Sequence, residues 1–524
     1  MKQNQYLNNE VIYQIYPLTF NYAPGSKTDP YPTGAYGNLK GITAYVEYVQ
    51  SLGVDAIWIT PFYKWGGHGF GYDMVDYCSV DEMFGDIDDF KELCDVYHKH
   101  GIRVLIDQVY NHCSVHHPWF QKSERREDGF EDFFVWADAK GFDDKGNPIV
   151  PNNWTSIWDS SGNSAWRWSD VRQQFYLHSF DWTMPNLNLN NDEVQAEILK
   201  VAKFWFDLGV DGFRLDAVTH YACDPLLRDN PLDEQGEQIR SYDINSHGGA
   251  KFINRLKDLC NTYQPSKTLL AEYWYDKSPN GFKKAKNILA NSGCDAFFTG
   301  ALNRGLKGIN DSFQDEMRVS YKGKKLNWAF SNHDLERVVS RVFGTNHSIK
   351  KSKLLMGLLL TLPGSVCIFQ GEELGLPNPK TMDECKNPDN DPLDVWTPYH
   401  NSWDAGRAGF AMSDSADDPS RKLALHPSDE QYEYAVSKQQ NKGSMLDYTI
   451  KQIRARKSNR IFNGYGNIIP IKVKKSNVVA FVRTNDRGTM RYVCIFNFNP
   501  YGVEVTYRGK TYVCRAESYI MELQ

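Results

Sequence analysis

Short apolar runs rich in β-branched and aromatic residues recur along the first 370 positions, and longer stretches with helical spacing separate most of them. VIYQIY from Val11, AIWIT from Ala56, RVLIDQ from Arg103, GFRLD from Gly212, TLLAE from Thr268, DAFFT from Asp295, NWAFS from Asn327 and SVCIFQ from Ser365 have the length and composition of buried strands. Residues 41–52, 87–100 and 193–208 carry apolar positions at helical period, and the last two stretches stop at Gly101 and Gly209, a common helix ending. Eight strands alternating with helices predict a (β/α)8 barrel rather than an open sheet. The most apolar stretch, LLMGLLLTLPGSVCIF, breaks at Pro–Gly before reaching the roughly 18 residues of a membrane span, and so predicts a buried helix followed by a strand.

Two regions depart from this alternation. Residues 111–190 are aromatic and turn-rich with little helical period, and carry Trp119, Trp136, Trp154, Trp158, Trp166 and Trp168. Connections in such folds normally run about 2–6 residues, so this stretch predicts an inserted subdomain over the C-terminal mouth of the barrel. Its tryptophans are candidate sugar platforms, although any single one is more readily a core residue. From 466 the pattern turns to short alternating segments, IIPIKVK, VVAFVRT, RYVCIFNF, VEVTY, TYVCRA and SYIMEL, which predict an antiparallel β-sandwich domain over 466–524. The barrel then spans 1–110 and 191–465.

Composition narrows the function. A chain of 524 residues exceeds one ordinary core. The 41% hydrophobic and 24% charged fractions and the net charge of −6 describe a soluble globular protein with no basic run for nucleic acid. The first twenty residues lack the layout of a signal peptide, and the ten cysteines form no C-x-x-C pair. The expectation is a cytoplasmic protein with reduced thiols, no cofactor and no membrane partner.

Three acids stand where apolar runs stop: Asp216 in GVDGFRLDAVTH, Glu272 in TLLAEYW and Asp334 in WAFSNHD. If their strands share one barrel, the three converge at its C-terminal face. Two such carboxylates suffice to cleave a glycosidic bond. Arg214, two positions before Asp216, faces the same side of its strand, where a guanidinium keeps a carboxylate charged.

DQVYNH at 107–112, GFRLDAVTH at 212–220, AEYW at 271–274 and SNHD at 331–334 end the third, fourth, fifth and seventh strand candidates. In that order they resemble the α-amylase family of glycoside hydrolases, family thirteen. VIYQIYP, FGYDMVDY, QGEELGLP and VWTPYHNSWDAGRAGF extend the resemblance over essentially the whole chain, toward bacterial α-glucosidases of the oligo-1,6-glucosidase and maltase type. The resemblance implies Asp216 as nucleophile, Glu272 as general acid and then base, and Asp334 as the third carboxylate, stabilising an oxocarbenium-like transition state. It also implies His112 and His333 as hydrogen-bond partners of the bound sugar, Tyr72 as the ring beneath it, and Asp73 paired with Arg407 behind one glucose, which favours cleavage from the chain end. Asp107 is expected to support Arg214, and Glu372 and Glu373 to lie behind the site.

Three departures are visible. The stretch after the first strand has Asp29 as its single acid, too few oxygen ligands for the metal loop of many relatives; Asn111 alone does not define a site, and no metal is expected. MPNLN at 184–188 stands where α-glucosidases usually have a QPDLN-like sequence, and His220 where many have an aromatic. Ala217 follows the nucleophile candidate; in this group alanine or threonine there goes with α-1,4 linkages and valine with α-1,6. The expected activity is hydrolysis of terminal, non-reducing α-linked glucose from maltose and short α-glucosides. The alternatives are a transglucosylase or isomerase using the same covalent intermediate, and a non-catalytic sugar-binding or transporter-associated relative.

Overall fold

The computed structural model describes residues 7, 9–28, 37–67, 71–157, 164–273, 291–300, 325–378, 433–459, 461–485 and 487–524. Eight parallel strands close a barrel: β1 (Val11–Ile15), β2 (Ala56–Ile59), β3 (Arg103–Gln108), β4 (Gly212–Leu215), β5 (Thr268–Glu272), β6 (Ala296–Gly300), β7 (Lys325–Ala329) and β8 (Ser365–Phe369). Each strand neighbours its sequence predecessor and successor, and β8 closes on β1, with Val11 opposite Val366. Every residue of β1, β2, β5 and β8 is buried. Strands covered on both faces read as continuous apolar runs, which is why all eight are visible in the sequence.

The chain divides into two compact units, Met1–Thr60, Glu82–Leu105 and Phe298–Gln524 in one, Pro61–Asp81 and Ile106–Phe297 in the other. In the first, helix Ile87–Lys99 begins with a capping box: the Asp86 carboxylate accepts from the N–H of Asp88 and Asp89, and Asp89 answers to the Asp86 N–H, satisfying donors that the first turn otherwise leaves unpaired. The expected helix at 41–52 is two short ones, Leu39–Ala44 and Val46–Leu52, because Tyr45 at the joint leaves helical geometry with ψ of 13°. The apolar stretch before β8 is the buried helix Ile349–Thr361, and no helix among the described residues is long and apolar enough to cross a membrane.

The C-terminal strands form a four-stranded antiparallel sheet in the order Asn467–Pro470, Val478–Thr484, Arg491–Asn497 and Ser518–Leu523, with a hairpin of Val503–Tyr507 and Lys510–Cys514. Val478, Val482, Val493, Ile495, Val505 and Tyr512 make their shared core. Of IIPIKVK only the first three positions join the sheet, in an edge strand that starts at Asn467, where a proline is tolerated.

In the second unit, helix Asp192–Asp207 is capped by Asn191 and helix His247–Cys260 by Ser246. The inserted stretch folds around a three-stranded antiparallel sheet of Trp136–Ala137, Gln174–Leu177 and Trp166–Ser169. Its core of Trp154, Trp166, Phe175 and Leu177 also takes in Cys223, with Leu227 and Tyr242 packed against it. The segment after β4 is therefore part of this small core. Trp154 Nε1 donates to the Arg228 carbonyl at 2.9 Å, and the Asn153 side-chain amide donates to the Asn230 carbonyl and accepts the Asn230 N–H, both at 2.8 Å. Trp166 Nε1 donates to Asn152 Oδ1 at 2.7 Å. Trp154 and Trp166 are core residues with satisfied N–H groups; Trp158 lies outside the described residues, and Trp182 is 46% exposed.

Candidate active site

Register brings the first two acids together. β4 and β5 are adjacent and parallel, with Arg214 opposite Leu270 and Leu215 opposite Ala271. One step further along, Asp216 and Glu272 leave neighbouring strands at the same height, and adjacent strands lie about 4.8 Å apart. Arg214 ties them. Its Nη1 stands 2.7 Å from Asp216 Oδ1 and 2.8 Å from Asp107 Oδ1, and its Nη2 stands 2.6 Å from Glu272 Oε1. One guanidinium thus faces three carboxylates in a fully enclosed position, and Arg214 and Asp107 have no solvent exposure at all.

The rest of the cluster is equally specific. Glu272 Oε2 accepts the backbone N–H of Ala217 at 2.8 Å. Tyr72 donates its hydroxyl to Asp107 Oδ2 at 3.0 Å. Burial pushes the Asp107 carboxyl up to about 6 despite the opposing pull of Arg214, the desolvation effect expected where charge outnumbers countercharge. Asp73 is fully buried, and its carbonyl accepts the Gly66 N–H at 2.9 Å. A Cβ on Gly66 would sit 2.7 Å from Asp73 Oδ2 and 2.3 Å from Ser114 Oγ, so only glycine permits that approach.

His112 follows β3 on the same unit. Its ring packs 5.1 Å from Phe180, which in turn lies 5.2 Å from His220. Burial pushes the His112 imidazole down to about 3 and that of His220 well below its ordinary value, so both are neutral. Nε2 of each is enclosed without a hydrogen-bond partner among the described residues. Neutral imidazoles with an unsatisfied ring nitrogen are suited to bond a ligand hydroxyl.

Asp334 and His333 belong to the other unit. Asn332 Nδ2 donates to Asp334 Oδ2 at 3.0 Å, and His333 Nε2 stands 3.2 Å from Oδ1. The His333 ring is stacked on Tyr16 and edge-on to Trp58, with centroids 6.1 and 6.2 Å away. Its Nδ1 is 2.8 Å from Gln14 Nε2 on β1. Nearby in sequence, Glu373 accepts the hydroxyls of Tyr13 and Tyr48 at 2.8 Å each, and Glu372 accepts the Phe369 N–H at 2.8 Å; both are buried. Arg407 lies outside the described residues, as does Asp29. Among the described residues no group of three or more histidine, cysteine or acidic side chains is placed to hold a metal ion.

Two contributors were not singled out from sequence. Gln14 sits in a run that reads as pure core, and its signal is a single amide among apolar neighbours. Asn186 is the polar centre of MPNLN: its side chain bonds Ser179 and reaches Asn111 Oδ1 at 3.4 Å, while its backbone bridges to His112. It clamps the inserted stretch onto the loop that carries His112.

The chain is similar to proteins of known family. The family profile "Alpha amylase, catalytic domain" matches residues 14–464. A probable alpha-glucosidase of Rhizobium meliloti is 38% identical over 387 residues, covering 70% of this chain and 67% of that protein. Maltase A2 of Drosophila melanogaster is 29% identical over 510 residues, covering 91% and 84%. Among solved structures, the alpha-glucosyl transfer enzyme XgtA superposes with a TM-score of 0.84 at 28% identity, covering 99% of both chains.

Proposed function

The chain belongs to the α-amylase family of glycoside hydrolases, and from that premise we propose that it is a retaining α-glucosidase acting on the non-reducing end of maltose and short α-glucosides, with α-1,4 linkage preferred. The observation that carries this reading is the pair Asp216 and Glu272, leaving adjacent strands in register and sharing the Arg214 fork. Retention requires two carboxyl groups about 5–5.5 Å apart, the spacing that neighbouring strand ends supply.

Asp216, kept ionised by Arg214, attacks the anomeric carbon. The glycosidic bond breaks, the leaving oxygen takes a proton from Glu272, and a glucosyl ester remains on Asp216. Water then attacks the same carbon while Glu272 takes its proton, which releases glucose with its original configuration. On the family likeness, glucose binding is assigned to His112, His333, Tyr72 and Asp73 and transition-state stabilisation to Asp334; the assignment of Arg407 rests on its flanking motif alone. The reading needs no cofactor or metal. The nine described cysteines, all without a disulfide, suit a reducing, cytoplasmic setting.

The test is turnover across maltose, isomaltose, maltotriose, sucrose, trehalose and starch, with wild type and Asp216→Ala. Glucose from the short α-1,4 substrates, abolished in the variant, is the expected result; equal processing by both proteins overturns the assignment. A second reading, transfer of the glucosyl group to a sugar, is favoured by the likeness to an alpha-glucosyl transfer enzyme over almost the full length of both chains. Disaccharide isomers or longer oligomers as the main products would select it.

A further inference from the structure

Ala217 adopts a left-handed backbone conformation, with φ of 44° and ψ of 39°. Non-glycine residues rarely do so, and β-branched ones almost never. The twist has a visible result. The N–H of Asp216 still points along the sheet to the Gln108 carbonyl at 3.0 Å. The next N–H, that of Ala217, turns instead to Glu272 Oε2 at 2.8 Å. Ala217 is itself buried, and its carbonyl accepts the His220 N–H at 2.9 Å, which locks the turn.

Glu272 therefore has a cationic or donor group at each oxygen, the Arg214 guanidinium 2.6 Å from Oε1 as an ion pair and the Ala217 N–H bonded to Oε2. That is the pose of an ionised carboxylate. A carboxyl group that carries a proton cannot keep both bonds at full strength, because one oxygen becomes a hydroxyl. The two donors are not equivalent. Arg214 also has Asp107 and Asp216 within 2.8 Å and can release Glu272 to them. A buried backbone N–H must keep its acceptor.

We propose that the Ala217 N–H is the pivot of the general acid: it holds Oε2 as an acceptor in both protonation states, so that the transferable proton resides on Oε1. In the resting enzyme Glu272 lies against Arg214. On taking up a proton at Oε1 the carboxyl turns about the Ala217 bond, leaves Arg214 to the two aspartates and presents Oε1–H to the glycosidic oxygen. When that oxygen departs with the proton, the carboxylate returns to Arg214, ready to accept the proton of the incoming water. Ala217 is thus a positioning residue acting through its main chain. This deepens the retaining α-glucosidase reading and rests on it.

The experiment compares kcat/KM on α-glucosyl fluoride, whose leaving group needs no proton, with kcat/KM on methyl α-glucoside, whose leaving group does. Fluoride and methoxide are both too small for the bulk of the 217 side chain to matter. Replacing Ala217 by lactic acid, which turns the backbone N–H into an ester oxygen and leaves the side chain unchanged, is expected to lower the methyl glucoside rate at least about tenfold more than the fluoride rate, toward the loss seen when an acid catalyst is removed. Retained fluoride turnover shows that the ester variant is folded. Ala217→Gly, which keeps the N–H and accepts the conformation, is expected to keep the wild-type ratio of the two rates. An unchanged ratio in the ester variant, or the same selective loss in Ala217→Gly, overturns the inference. Glu272→Gln run in parallel separates the two levels. If it lacks the selective loss, the assignment of the acid itself is wrong; if it shows the loss while the ester variant does not, only the pivot is.

Discussion

Arg214 Nη1 stands 2.8 Å from Asp107 Oδ1, and neither side chain is exposed to solvent. The guanidinium is the cation held among Asp107, Asp216 and Glu272. Removing one partner of a buried pair typically costs about 3–5 kcal/mol because the remaining charge stays uncompensated. Arg214→Gln is expected to lose stability in that range, and kcat/KM by about a hundredfold or more. Urea denaturation and turnover of an aryl α-glucoside measure both. A variant within 1 kcal/mol of wild type by the usual scatter of surface substitutions would mean that the pair carries little.

Gln14 touches His333 at 2.8 Å from a strand that otherwise supplies core. A donor on Nδ1 leaves the proton on Nε2, the nitrogen beside Asp334, and partners of this kind set the tautomer of a functional histidine. Gln14→Leu is expected to lower kcat/KM by about tenfold or more, while Gln14→Glu, which favours the imidazolium, shifts the pH profile. Selective nitrogen labelling of histidine reads the tautomer directly, and an unaltered His333 spectrum in both variants would count against the role.

Burial pushes the Glu372 carboxyl up to about 7 from an ordinary value near 4.5. The folded state then binds that proton more tightly than the unfolded one, so stability falls as pH rises from about 4.5 to 7, by about 3 kcal/mol in all. Glu372→Gln does not ionise and keeps an acceptor for the Phe369 N–H. Relative to wild type, the variant is expected to gain stability between pH 5 and pH 8. A constant difference across that interval, measured by urea midpoints, would refute the buried ionisation.

His112 has the opposite sign. Burial holds its imidazole near 3, so the unfolded chain takes up its proton first as pH falls. Stability is complete above about 6.5 and is lost progressively toward 3, by about 2 kcal/mol at pH 5. His112→Gln removes that contribution, and the variant is expected to lose correspondingly less stability than wild type between pH 7 and pH 5. Parallel denaturation curves for the two proteins would exclude it.

The barrel was legible because each of its strands is a run of apolar residues bounded by turn formers, and that pattern survives any choice of tertiary partner. The pairing of Arg214 with Asp216 was legible too, since two-residue spacing on a strand puts both on one face. What could not be read was contact across the fold. Gln14 and His333 are separated by 319 positions, and an amide inside an apolar run announces a partner without naming it. The split of the 41–52 helix escaped because the apolar period runs through Tyr45 unbroken while the backbone does not. Arg407 rests on its flanking motif alone.

The joint core of the inserted stretch and the segment after β4 has a consequence for transplanting parts between relatives. The Trp154 indole finds its acceptor in the Arg228 carbonyl, and the Asn153 side chain holds both the N–H and the carbonyl of Asn230. A chimera that replaced residues 111–190 alone would take Trp154 and Asn153 away, leave the Arg228 and Asn230 main chain without these partners, and so inherit a fault unrelated to sugar recognition. The heritable module is discontinuous, and its two pieces must be moved together if substrate preference is to travel with them.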